Sequence, residues 1–277
     1  MCVTAIAYFV HPKYPFVLLF NRDEVFERPV SEIAEWTDEW EGIVAGRDLM
    51  AGGTWLGMNH DGKFVAVTNF RDSNTQTEQQ KVPSIAVELD NRGAFLSRGL
   101  IPLQILRKNV NIVGELENLW EERSRYRSFN LLAGDVKGSG LYYFSVNQTE
   151  NAFNGLKQLE QGLHCMSNTD ISNNWKRTTT LKDELDCFLK NHEEFSPLDL
   201  LPLLTPELAS NEPTQRAVSV FYKSNPINIG EKTISFGTVS STIITVSISN
   251  EVNILERTWS RDQLSYADTS KSFYIST

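Results

Sequence analysis

The sequence predicts an α+β fold in which two antiparallel sheets are layered, with helices outside them. Three observations predict it. Strand-like runs open the chain, helix-like runs fill its middle, and strand-like runs return at the end. Short turn-rich connections join many of the strands as hairpins, which is antiparallel wiring. The order does not alternate strand with helix, as a parallel sheet requires, so stacked sheets are the way to bury both strand sets. At 277 residues the chain is read as a single domain over 1–277.

The elements follow in order. Val3–Val10 and Phe16–Phe20 are apolar and β-rich, and His11-Pro12-Lys13-Tyr14-Pro15 turns between them. Gly53–Met58 and Lys63–Asn69 flank Asn59-His60-Asp61-Gly62, where Asp-Gly is a hairpin signal. Polar residues from Arg71 to Lys81 read as a loop. Ile85–Leu106 reads as two short helices broken at Gly-Leu-Ile-Pro. Glu115–Tyr126 puts Leu116, Leu119, Trp120 and Arg123 on one helical face. Phe129–Ala133 and Leu141–Val146 form another hairpin, and Leu156–Leu159 with Gly162–Met166 a further pair. Lys176–Asn191 and Pro197–Leu208 read as helices. Ala217–Lys223, Thr233–Ser249 with an interruption at Gly237, and Val252–Trp259 read as the closing strands.

Composition excludes several functions. With 40% hydrophobic and 22% charged residues, the chain has the make-up of an ordinary globular protein. A chain of this length buries roughly three quarters of its unfolded surface, so it needs no disulfide or metal to hold a core. Acidic residues outnumber basic ones by 35 to 26, which argues against a nucleic-acid partner. No run approaches the roughly 18 apolar residues of a transmembrane segment. The first ten residues lack the basic region of a signal peptide, so a cytoplasmic location is expected. Cys2, Cys165 and Cys187 form neither a disulfide framework nor a metal pair. His164 and Cys165 are neighbours on a strand and point to opposite faces, so no metal site is expected there.

Four features bear on chemistry. Cys2 follows the initiator Met, and removal of Met1 would put a thiol and a free α-amine on one residue. An α-amine titrates near 8, so it can serve as base for its own side chain. A small buried hydrophobe is the competing reading of Cys2. Asn21-Arg22-Asp23-Glu24 closes the second strand of the first hairpin, and antiparallel pairing brings Arg22 and Asp23 beside Cys2. An arginine there favours the thiolate and an acid can hold the ammonium, although four polar residues in a row also read as a turn. Asn69 ends a strand after Gly52-Gly53-Thr54-Trp55-Leu56-Gly57 and can donate its amide to an oxyanion. Asn168, within Ser167-Asn168-Thr169, is a second donor or anchor. An ordinary turn asparagine is the alternative for both.

The order of these features resembles the NRDE-motif family, which includes the transport-and-Golgi-organisation proteins. The resemblance spans essentially the whole chain. It runs from Met1-Cys2 and Asn21–Glu24 through Arg28-Pro29, Ala45-Gly46-Arg47-Asp48, Gly52–Gly57 and Thr68–Arg71. It continues at Phe129–Asp135, at Gly162-Leu163 with Ser167-Asn168 and Trp175-Lys176, and at Phe236–Thr238 with Ser240–Thr242. Three places depart from the pattern. Val239 stands where the family has arginine, His164-Cys165-Met166 alters the spacing after Gly-Leu, and Arg177 stands where the pattern tends to an apolar residue.

The resemblance implies an N-terminal-nucleophile-hydrolase-like, four-layer αββα sandwich. Its relatives of the choloylglycine hydrolase and penicillin V acylase type use an N-terminal cysteine, an arginine and an aspartate after the first hairpin, and two asparagines further on. Carried over, these are Cys2, Arg22, Asp23, Asn69 and Asn168, with a looser match at Asp23 because the Arg-to-Asp spacing differs. The expected function is a cysteine amidohydrolase that cleaves a linear C–N amide bond of a small molecule and requires no cofactor. The alternative is a non-catalytic carrier of haem or lipid on the same fold. A membrane-trafficking adaptor ranks below both, because no basic amphipathic segment is present.

Overall fold

A computed structural model describes residues 2–70, 95–148, 154–205, 220–229 and 232–276. Alternating strand faces explain its layers. In β1 (Val3–Tyr8) and β2 (Phe16–Val25), Val3, Ala5, Ala7, Val17 and Leu19 join one core, while Ile6, Tyr8, Phe16, Leu18 and Phe20 join another. A sheet apolar on both faces must be covered on both.

The first sheet supplies one half of the sandwich. Among the described residues its order is β10 (Gly162–Met166), β1, β2, β12 (Lys232–Val246), β13 (Glu251–Trp259) and β14 (Tyr266–Tyr274). β11 (Asn225–Ile229) adds to β12. The second sheet runs in chain order from β3 (Val30–Glu35) and β4 (Ile43–Asp48) to β5 (Leu56–Asn59) and β6 (Lys63–Asn69). It then continues through β7 (Phe129–Asp135), β8 (Gly140–Val146) and β9 (Gly155–Leu159). Every strand pairing within the two sheets is antiparallel. Phe16 and Phe64 meet between the sheets with ring centroids 4.4 Å apart, and the Tyr8 hydroxyl donates across to the Asp135 carbonyl at 2.9 Å.

Helices form the outer layers. α1 (Leu100–Leu106) and α2 (Ile112–Glu121) pack on the second sheet. Asn111 caps α2 by accepting from the Gly114 N–H. α3 (Lys176–Asn191) and α4 (Pro197–Leu204) cover the first sheet. α3 buries Arg177, Leu181, Leu185 and Leu189, one face at a four-residue spacing. In α4, Pro197 opens the helix and Asp199 accepts from the Ser196 N–H at 2.8 Å. The result is the expected αββα sandwich.

Several expectations need correction. β3, β4 and β14 are strands that the sequence does not predict. The strand expected over Gly53–Met58 starts at Leu56, because Gly53 and Thr54 serve as a close contact with residue 99. The helix expected over Glu115–Tyr126 starts earlier and ends at Glu121, followed by a single 3-10 turn. Residues 220–224 form no strand, and the regular pairing begins at Asn225. Gly237 does not interrupt β12. The irregularity lies between Thr238 and Ser240, at Val239. Of the two helices expected over Ile85–Leu106, the described part holds one, which starts at Leu100 with Pro102 inside it; Gly-Leu-Ile-Pro therefore opens a helix instead of breaking one, and residues 95–99 are not helical. The loop expected over Arg71 to Lys81, residues 85–94, and the outer parts of the Pro197–Leu208 and Ala217–Lys223 expectations lie outside the described residues.

Candidate active site

Strand pairing builds the site. Val3 pairs with Asn21 in the β1–β2 register, so the next position outward sets Cys2 against Arg22. Alternation decides where each side chain goes. Arg22 faces the second sheet, where its guanidinium lies 3.8 Å from the centroid of the Trp55 ring. Cys2 packs against the same inter-sheet core. Asn21 and Asp23 point to the opposite, helix-covered face. The Asn21 amide donates to the carbonyls of Leu204 and Val220 at 2.8 and 3.0 Å and accepts from the Ser241 hydroxyl at 2.6 Å. Asn21 is therefore a structural tie between sheet and helix layer.

Asp23 is held from its far side. Its carboxylate accepts from the Thr238 hydroxyl at 2.7 Å and from the Arg177 guanidinium at 3.1 Å, all buried. Its backbone carbonyl lies 3.9 Å from the Cys2 sulfur. In the sequence, Arg177 stands out only as a departure from the family pattern. A charged residue in the first turn of an amphipathic helix reads as solvated, and no signal in the sequence ties it to Asp23.

A cavity of about 480 Å³ opens above Cys2 and Arg22, with Asn69, Trp55 and Arg98 among its walls. Gly53 shapes one wall. A Cβ there would lie 2.3 Å from the Gly99 backbone, and only this close approach lets the Thr54 N–H reach the Gly99 carbonyl at 2.9 Å. Arg28 and Asp48, each from a block of the sequence pattern, pair at 2.5 Å in the same lining.

The two asparagines enter differently. Asn69 ends β6 at the cavity wall. The Asn168 amide donates to the Asn69 carbonyl at 2.7 Å, so it fixes the backbone that carries Asn69. Ser167 donates to the Cys2 carbonyl at 2.7 Å, while its own carbonyl accepts from Thr68 and Asn130 at 2.6 and 3.1 Å. The segment after β10 thus ties the N-terminal strand to the second sheet, and all five expected site residues gather at one end of the sandwich.

The electrostatics are mixed. Burial pushes the Cys2 thiol above its usual range, and the Asp23 charge adds to that, while the Arg22 charge opposes it. A second cavity of about 70 Å³ lies behind Arg22 and Trp55, lined by Val239, Ser240 and Glu256. The Val239 side chain lines this wall beside Arg22. Burial also raises the Glu256 carboxyl, which accepts from the Ile33 N–H and the Thr242 hydroxyl. Among the described residues, no group of three or more His, Cys, Asp and Glu is placed to hold a metal ion. No described helix is long and apolar enough to cross a membrane.

Two facing antiparallel sheets between helix layers, with a cysteine just before the first strand at a cavity, are the N-terminal-nucleophile-hydrolase fold. Solved structures agree: two variants of a conjugated bile acid hydrolase from Clostridium perfringens align with TM-scores of 0.51, each covering 100% of this chain and 97% of theirs at 11% and 12% identity. Residues 1–261 match the family described as Transport and Golgi organisation 2, and the chain belongs to that family, which is the NRDE family of the sequence resemblance. The mouse Transport and Golgi organization 2 homolog is 27% identical over 261 residues, covering 88% of this chain and 86% of that protein. The human homolog is 24% identical over 272 residues, covering 92% and 91%.

Proposed function

We propose that this chain is a cysteine N-terminal-nucleophile amidohydrolase that cleaves a linear C–N amide bond of a small molecule. The observation that carries this reading is the juxtaposition of Cys2 and Arg22 on one face at the floor of the 480 Å³ cavity, with Asn69 at its wall. The reading requires removal of Met1. The freed α-amine takes the thiol proton, and the sulfur attacks the amide carbonyl. Asn69 donates to the oxyanion, and Asn168 holds Asn69 in place. Collapse of the tetrahedral intermediate breaks the C–N bond, and the ammonium returns its proton to the departing amine. Water, deprotonated by the same α-amine, then hydrolyses the thioester and restores the thiol.

The intact mass of the purified chain comes first, followed by turnover of a panel of fluorogenic acyl-coumarin amides. The expected result is loss of Met1, with hydrolysis that disappears in Cys2→Ala. Retained Met1, or full turnover by Cys2→Ala, overturns the reading.

A second reading is a carrier, with haem as its cargo. Met50, Phe95 and Leu96 stand exposed beside the cavity mouth and favour holding an apolar ligand without chemistry. Titration with haem then gives a saturable Soret shift that Cys2→Ala leaves unchanged. A non-saturating response removes this reading.

A further inference from the structure

We propose that Arg177 is a positioning residue: from the helix layer it fixes the Asp23 carboxylate, and through it the Asp23 carbonyl that faces the Cys2 thiol. The proposal rests on the reading of Cys2 as nucleophile. Its geometry is a relay through the first sheet. Arg177 is the second residue of α3, and its guanidinium donates to Asp23 at 3.1 Å and to the Val220 carbonyl at 2.9 Å. The side chains of the Arg177–Asp23 pair are 2% and 0% exposed. An ion pair this deep gives little net stability over apolar residues of the same size, because both charges lose their hydration. Its position is therefore better explained by what it does to Asp23. Thr238 holds the other carboxylate oxygen at 2.7 Å, so the Asp23 side chain is fixed from two directions. Asp23 and Arg22 are consecutive in β2, and fixing one fixes the strand that presents both to Cys2.

The charges that act on the thiol are Arg22 on its own face, the Asp23 carboxylate on the opposite face of the paired strand and, behind Asp23, Arg177 of α3. Arg177 offsets the Asp23 carboxylate, which on its own disfavours a thiolate. Its loss should therefore make Cys2 harder to ionise.

The test is the pH profile of Cys2 alkylation by iodoacetamide, localised by peptide mass. The exposed Cys187 serves as the internal reference. Alkylation needs no substrate, so the outcome is independent of whether amides are hydrolysed. In Arg177→Met the Cys2 midpoint should rise by about one pH unit, with a roughly tenfold slower reaction at pH 7. Arg177→Lys should recover most of the loss, and the Cys187 profile should not move. A folded Arg177→Met with an unmoved Cys2 midpoint overturns the proposal and leaves the pair a packing feature.

The single variant strands a buried carboxylate and can fail to fold. The double variant Asp23→Asn with Arg177→Met removes both charges. Its midpoint should lie at or below that of the unmodified chain. A midpoint above it would show that Arg177 does not act by offsetting the Asp23 charge, and that too overturns the relay through Asp23.

Discussion

The Arg22 guanidinium lies 3.8 Å from the centroid of the Trp55 ring, so a residue of the first sheet is held by one that leads into the second. Arg22 and Trp55 both border the main cavity and the smaller one behind it. The stack therefore fixes the cation beside Cys2 and forms the partition between two spaces.

Arg22→Met tests that placement. The cation favours the Cys2 thiolate, so its removal raises the pH midpoint of thiol alkylation. The reaction at neutral pH slows by roughly tenfold for every pH unit that the midpoint climbs. The lost stack costs about 1–2 kcal/mol of stability. A midpoint that stays put would show that the Arg22 charge does not reach the sulfur.

Gly46 is tied to the same stack. A Cβ at this position would lie 2.9 Å from two ring atoms of Trp55 and 3.3 Å from the Ser31 carbonyl. Gly46→Ala should push Trp55 off Arg22 and destabilise the fold by about 1–3 kcal/mol. Thermal melting together with Cys2 alkylation checks it, since both should change. A change in melting alone would uncouple Trp55 from the site.

Asn21 should prove structural. Its amide satisfies two buried carbonyls and one hydroxyl. Asn21→Ala strips the Leu204 carbonyl and the Ser241 hydroxyl of this partner, at about 1–3 kcal/mol each before relaxation, while the Val220 carbonyl keeps the Arg177 guanidinium. Denaturant unfolding should show a loss of at least about 2 kcal/mol. At temperatures where the variant stays folded, Cys2 should alkylate at close to its unaltered rate. A selective loss of thiol reactivity would instead place Asn21 in the site.

Glu256 should make stability fall with rising pH. Burial raises its folded carboxyl above the unfolded value near 4.3, so the native state holds the proton more tightly. That contribution is complete below about pH 4 and is lost as pH climbs through the raised folded value. Glu256→Gln should therefore raise the melting temperature at pH 8 and change it little at pH 4. An equal effect at both values would show that ionisation of Glu256 is not the cause.

The hairpin that aligns Cys2 with Arg22 is legible in the sequence, because two continuous apolar, β-rich runs flank a proline-rich turn and mark both strands. The NRDE pattern, the cavity glycines and the two asparagines are legible for a related reason: they are local motifs. The strands that the sequence hides have weak local signals. β3 has mixed exposure, β4 carries Gly46, and β14 is a largely exposed edge strand of polar residues. Their strand character comes from the neighbours they pair with. Arg177 shows the same limit at the site. Its local context is a solvated helix start, and only packing of the helix layer on the first sheet buries it against Asp23. The sequence determined which residues could form the site and which strand carries them. The tertiary structure decided which face each one uses and which charges offset one another, because burial and Coulomb energy depend on distances between segments far apart in the chain.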